Sequence, residues 1–204
     1  MANIMGNTTE AYGRAGGIPP APGPASRYGA VAQWLHWGVF ALLALQLFVG
    51  EVMDGLPRAG TLRGTAFDAH ETLGLALLFV VFARLSWKMA HPVRPLAGPA
   101  WRRHAATFTH ALLYALVLAL PVTGYFLIGA QGHGAAFFGW EIPVPIARDR
   151  STAKLLENIH GAFADALMIV VALHAAAALW HHFVARDDTL RRMLPARWLG
   201  GVRD

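Results

Sequence analysis

Four apolar stretches separated by polar, basic connections set the pattern of this chain. Residues 31–50 carry no charged side chain. At about 1.5 Å per helical residue they span about 30 Å, one hydrocarbon core. Residues 69–87 are apolar apart from His70, Glu71 and Arg84, and 109–130 apart from His110. Residues 158–184 are apolar apart from Asp165 and several histidines. The pattern predicts an all-α membrane protein: four transmembrane helices at these positions, packed up-down-up-down in one domain over 28–197. Pro121 predicts a kink that neighbouring helices accommodate. Residues 131–157 read as a loop, with Trp140 and nearby Phe residues at the membrane interface. The Gly- and Pro-rich residues 1–27 predict a flexible tail, and 198–204 a short C-terminal one. No basic-apolar-small leader stands out there, so the first helix is expected to target the chain. No internal repeat stands out beyond the helix count.

Composition sharpens this picture. Hydrophobic residues make up 55% of the chain and Asp, Glu, Lys and Arg only 14%, against about 25% charged in a soluble domain. The absence of cysteine excludes disulfides, thiolate-held clusters, thiol nucleophiles and covalently attached haem. The net charge of +5 does not point to nucleic acid, because the basic residues flank apolar runs instead of clustering on a soluble face. Their distribution bears on topology. Of the 17 Lys and Arg, five (Arg58, Arg63, Arg148, Arg150 and Lys154) fall on one side of the predicted bundle. The other 12 fall with the termini, which places both termini in the cytoplasm by the positive-inside rule.

Ten histidines in so apolar a chain are the chemical anomaly, since imidazole within a membrane span is costly. His160 and His174 are fourteen residues apart, hence about 40° apart around their helix and about 21 Å along it. Depth pairs His36 with His174 toward the inner surface and His70 with His160 toward the outer. Each pair offers two imidazoles from different helices to the two faces of a flat macrocycle, the ligation of low-spin electron-transfer haem. Zinc would need three or four ligands gathered together. The four histidines are thus read as axial ligands of haem iron.

Other residues join this frame. Gly74, one turn after His70, leaves room for a porphyrin, and Gly38 and Gly161 adjoin His36 and His160. Arg84 lies fourteen residues after His70, where it either meets a haem propionate or snorkels to the surface. His110, with Arg102 and Arg103, offers contacts to a propionate or a quinone. His181 could replace His174 as ligand, but the His181–His182 pair reads better as interfacial or propionate-contacting. Asp165, about 140° around the helix from His160, is read as a hydrogen-bonded interhelical contact in preference to a proton relay. Trp34, Trp37 and Trp180 read as belt or haem-packing aromatics.

The stretches Q-W-L-H-W around His36, H-E-T-L-G from His70, A-L-P-V-T-G in the third helix, and I-H-G-A followed by H-A-A-A-A-L resemble the bacterial cytochrome b561 family. The D-D-T-L-R-R-M-L-P segment extends the likeness over roughly residues 27–197. The resemblance implies two non-covalent b-type haems, His36, His70, His160 and His174 as their ligands, electron transfer across the bacterial inner membrane, and quinone as partner. One branch oxidises superoxide and reduces ubiquinone. Similar four-helix haem subunits anchor larger dehydrogenases and hydrogenases, so a conduit subunit is the alternative; a haem-free His/Asp proton transporter is a third. Arg148, Arg150 and Lys154 lie just before the outer end of the fourth helix. They either steer a small anionic donor toward the outer haem or form a solvated loop offset by Asp149 and Glu157.

Overall fold

The computed structural model describes residues 27–57, 60–93 and 99–195. The predicted tails, through residue 26 and over 198–204, lie outside the described residues, as do Arg58 and Arg94. Four long helices form, α1 (Ala30–Gly55), α2 (Thr61–Ala90), α3 (Ala100–Gln131) and α4 (Arg150–Phe183), each long and apolar enough to cross a membrane. All but α1 begin eight or nine residues before the predicted apolar stretch. A helix satisfies its backbone hydrogen bonds internally, so it continues past the hydrocarbon into polar turns that hydropathy alone does not mark. Pro121 lies inside α3 without ending it.

Neighbours in sequence pack as neighbours in space, α1 on α2, α2 on α3 and α3 on α4. The packed waist is small: Leu43, Leu77, Val81, Leu116, Val117 and Leu167 are buried, with Leu167 fully so. Much of the remaining apolar surface faces outward, including Phe48, Phe79 and Leu173, as suits helices whose outer faces meet lipid.

The predicted 131–157 loop is shorter and more ordered than expected. Gly132 ends α3 in a left-handed conformation, with φ 92°, which glycine adopts without a Cβ clash. Strands β1 (Ala135–Phe137) and β2 (Trp140–Ile142) then pair antiparallel around Phe138 and Gly139. Both turn residues have positive φ, the geometry that suits the twist of a two-residue hairpin. Phe138 and Trp140 are exposed at its tip. The hairpin is fastened to α2: the Ala136 N–H donates to Glu71 Oε2 at 2.6 Å, and Thr72 Oγ1 donates to the Ala136 carbonyl at 3.3 Å. Asp149 caps α4 by accepting from the Thr152 N–H at 2.7 Å.

At the opposite end of the bundle the chain closes on itself. A short 3-10 turn, Arg191–Met193, docks under α1. Gln33 Nε2 donates to the Arg192 carbonyl at 3.1 Å, Trp37 Nε1 to the Met193 carbonyl at 2.9 Å, and Arg27 to the Leu194 carbonyl at 2.8 Å. Residues 27–29 and 190–195 therefore share one end, opposite the β-hairpin.

Candidate functional site

Antiparallel packing brings together the histidines that the sequence pairs by depth. The ring centres of His70 and His160 are 6.2 Å apart at the hairpin end, with planes crossing at 68°. Those of His36 and His174 are 6.4 Å apart at the terminal end, crossing at 67°. All four rings are half-buried. Among the described residues no three His, Asp or Glu side chains gather as a metal cluster; the arrangement is two separate pairs.

A repeated step builds both levels. On each helix a histidine is followed seven residues later by a waist residue and fourteen residues later by a second site position. The series are His36, Leu43, Gly50; His70, Leu77, Arg84; His110, Val117, Gly124; and His160, Leu167, His174. Seven residues are nearly two turns, about 10 Å, so the three positions stack on one helix face. Because adjacent helices run oppositely, one level collects Gly50, His70, Gly124 and His160, and the other His36, Arg84, His110 and His174. The expectation of no internal repeat is thereby corrected: α1–α2 and α3–α4 follow one plan. Its sequence signal is a spacing of histidine to glycine, arginine or histidine, not a likeness of residue types.

At the hairpin end the glycines are what admit the imidazoles. A Cβ on Gly50 would stand 3.2 Å from His70 Cε1, and one on Gly124 3.2 Å from His160 Cε1. The sequence reading missed both. Gly74, which it favoured, is buried with its face filled by Gln46 Nε2, 3.1 Å from where a Cβ would stand. Gly38 and Gly161 meet nothing within 4 Å. A cavity of about 320 Å³ surrounds the His70–His160 pair, lined by Gly50, Gly74, Gly124 and Gly161 and by apolar side chains.

Thr123, next to Gly124, fixes the proton on one ring. Its hydroxyl donates to the Leu120 carbonyl at 2.9 Å and lies 3.0 Å from His160 Nδ1. A hydroxyl has one hydrogen. With that spent on Leu120, the oxygen accepts from Nδ1–H, and the bare lone pair of His160 is on Nε2.

At the terminal end His174 stands between two rings, with His110 5.5 Å away and His36 6.4 Å away. Arg84 belongs to the same level. Its Nη1 donates to the Ala32 carbonyl, in the first turn of α1, at 3.3 Å. Lys88, one turn on, lies over the Tyr114 ring at 4.9 Å.

Other sequence-singled residues fall elsewhere. Arg102 lies over the Trp101 ring and Arg103 is exposed, both about two turns before His110 and not joined to it. Arg148 and Arg150 are exposed beside the start of α4, and Lys154 pairs with Glu157 at 3.1 Å. His181 is held by Asp187 at 2.5 Å, which commits it to the α4 terminus and leaves His174 as the ring facing His36. The hydrogen bonds from Thr189 and His181 outweigh burial and keep the Asp187 carboxyl below its usual range. Among the described residues Asp165 makes no interhelical hydrogen bond; it is exposed and lines the His70–His160 cavity.

Comparison with known proteins bears on this geometry. The family model for prokaryotic cytochrome b561 matches residues 27–196. The chain belongs to that family. It is 29% identical to "Cytochrome b561 homolog 1" of Escherichia coli K12 over 174 residues, 84% of this chain and 99% of the relative. It is 30% identical to "Cytochrome b561 homolog 2" of the same organism over 181 residues, 82% and 91% of the two chains. It is also 27% identical to "Probable superoxide oxidase CybB" of Yersinia pestis over 173 residues, 84% and 97% of the two. As a prokaryotic cytochrome b561, this is a bacterial membrane protein of electron transport whose family binds b-type haem.

The histidine pairs can be tested against that group. A metal–imidazole bond is about 2.0–2.1 Å long, as for zinc, and the ring centre lies about 1.1 Å beyond the nitrogen. Two rings on opposite sides of one ion therefore have centres about 6.2–6.4 Å apart. Both depth-matched pairs fit, whereas the 5.5 Å between His110 and His174 is too close.

Proposed function

We propose that this cytochrome holds two b-type haems, one between His70 and His160 and one between His36 and His174. It acts as an oxidoreductase of the inner membrane, with both termini cytoplasmic by the positive-inside rule. Haem supplies the one-electron chemistry that links an outer-side donor to ubiquinone. The donor we favour is superoxide: two superoxide anions give one electron each and leave dioxygen, and ubiquinone takes two electrons and two protons. The observation that carries the reading is the matched separation of the two imidazole pairs, 6.2 and 6.4 Å, at two levels of one bundle.

The chain's own residues do the rest. His70 with His160, and His36 with His174, would hold the haems, which would supply one-electron transfer. Thr123 orients His160 with Nε2 bare. Leu43, Leu77, Val117 and Leu167 pack between the two levels and exclude water. Arg84 and Lys88 supply positive charge for propionates at the terminal end, where His110 adjoins His174. Arg148 and Arg150 keep the hairpin end basic toward an anionic donor. Support for superoxide comes from the relative named a probable superoxide oxidase.

The test is haem content and turnover of the purified chain. We expect two haems per chain and reduction of ubiquinone-1 by superoxide with no other subunit present. One haem per chain refutes the two-pair assignment. Two haems with turnover only when a copurifying dehydrogenase subunit is added would make the chain an electron conduit.

A further inference from the structure

One segment outside the predicted apolar stretches is basic without any acid. Residues 88–108, which join the second stretch to the third, hold Lys88, Arg94, Arg102 and Arg103 and no Asp or Glu. Each of the other such segments, 1–30, 51–68, 131–157 and 185–204, carries at least one Asp or Glu among its basic residues. Topology does not require this difference. Orientation in the membrane is set by Lys and Arg, with Asp and Glu contributing little, so an acid here would not disturb it. Uncompensated positive charge at a membrane surface instead favours an anionic partner.

The structure narrows the patch to the start of α3. Arg94 lies outside the described residues, and Lys88 is placed over the Tyr114 ring. Arg102 and Arg103, on the first turn of α3, are exposed, and among the described residues neither makes an ion pair. The Arg102 guanidinium lies 5.5 Å from the centre of the Trp101 ring. Trp101 is 66% exposed and Phe108 69%. Seven residues apart, these two rings leave α3 within about 20° of each other, on one face. Phe108 adjoins the apolar stretch that begins at 109, and Arg102 stands about 10 Å further out along the helix. There arginine and tryptophan meet lipid headgroups. From the surface inward α3 thus presents a cation, an indole and an apolar ring. A phospholipid presents phosphate, glycerol and acyl chain in the same order. A guanidinium stacked on indole keeps its N–H fork for two phosphate oxygens. A zwitterionic headgroup would bring its own ammonium toward the two arginines, whereas an anionic one would not.

We propose that Trp101, Arg102 and Arg103 bind the headgroup of an anionic phospholipid whose acyl chain lies along Phe108. The test uses the haem-loaded full chain in a neutral detergent. Phosphatidylglycerol or phosphatidylcholine with matched acyl chains is titrated in, and bound lipid is counted by native mass spectrometry. A cation near an anionic lipid surface contributes about fivefold. Wild type should therefore hold one phosphatidylglycerol at least about tenfold more tightly than phosphatidylcholine. Arg102→Gln combined with Arg103→Gln should erase that preference and leave the haem mass unchanged. Arg186→Gln combined with Arg191→Gln, in the segment that carries Asp187 and Asp188, should change it by less than about threefold. Fluorescence reads the location. Phosphatidylglycerol with brominated chains should quench tryptophan emission more than brominated phosphatidylcholine, and Trp101→Phe should remove the excess. Equal affinity for the two lipids overturns the site, as does a preference that survives Arg102→Gln with Arg103→Gln. An equal loss in the Arg186 and Arg191 variant, or quenching indifferent to Trp101→Phe, also overturns it. Displacement of the lipid by inorganic phosphate at equal concentration overturns it too, and makes the patch a site for a free anion.

Discussion

Thr123 and His160 are joined by a hydrogen bond of 3.0 Å whose direction is set by a third group, the Leu120 carbonyl. The pseudo-equivalent of Thr123 in the first half of the bundle, one residue before Gly50, is Val49, which has no hydroxyl. The matching position beside His70 therefore offers no hydroxyl, although the helices follow the same plan. A partner that accepts from the far nitrogen raises the basicity of a ligating histidine. Thr123→Val should raise the midpoint potential of the hairpin-end haem and weaken its retention by about tenfold. Thr123→Ser should restore both, and the terminal-end haem should not respond. Redox titration with spectral resolution of the two haems checks this. Equal potentials in Thr123→Val and wild type would show that the bond does not tune the ligand.

The glycines at the same level give a paired expectation. A methyl at Gly50 or Gly124 would press on an imidazole at 3.2 Å, closer than comfortable carbon–carbon contact. Gly50→Ala should displace His70, and Gly124→Ala should displace His160. Either change should cost the low-spin signal of the hairpin-end haem and spare the other. Low-temperature electron paramagnetic resonance distinguishes this from general unfolding, which would remove both signals.

At the terminal end the geometry separates two candidates for one role. His36 stands from His174 at a distance that accommodates an ion between them, and His110 does not. His36→Ala should abolish the terminal-end haem, while His110→Ala should keep two haems per chain. Pyridine haemochrome counts on the two variants decide it, and loss of one haem in His110→Ala would reverse the assignment.

The cap on α4 predicts an acid transition. Hydrogen bonds from Thr152 and Ser151 hold the Asp149 carboxyl down to about 2, from an ordinary value of 3.8. A carboxyl whose folded value is depressed stabilises the fold above its unfolded value and ceases to as pH falls through the folded one. The cap is therefore fully effective above about pH 4 and is lost toward pH 2. Hydrogen exchange at the Thr152 and Ala153 amides should accelerate through that window, relative to the intrinsic rate. In Asp149→Ala it should be fast and show no such step.

Steering of an anionic donor is open to a salt series. Lys154 already pairs with Glu157, while Arg148 and Arg150 are exposed at the start of α4. Haem reduction by superoxide should slow as ionic strength rises. Replacement of Arg148, Arg150 and Lys154 by Gln should lower the low-salt rate and flatten the slope. Identical slopes with both haems retained would leave these residues as ordinary surface charge.

Sequence alone determined the four spans, their alternation and the depth of each histidine. A hydrocarbon core demands about twenty apolar residues per helix, and a helix converts residue number directly into height and angle. From that, His36 could be matched with His174 and His70 with His160 before any contact was known. Tertiary structure decided what depends on the distance between helices. It separated His36 from His110 as neighbours of His174, because rings at equal depth differ only in how closely their helices approach. It found Gly50 and Gly124 opposite the imidazoles, joined Arg84 to the first turn of α1, fastened the hairpin to Glu71 and tied the terminal turn to Gln33 and Trp37. Among the described residues it also left Asp165 without the interhelical bond expected of it, since a hydrogen bond needs a partner within about 3 Å. Height along a helix is a property of one segment, whereas facing a partner is a property of two, and only their packing supplies it.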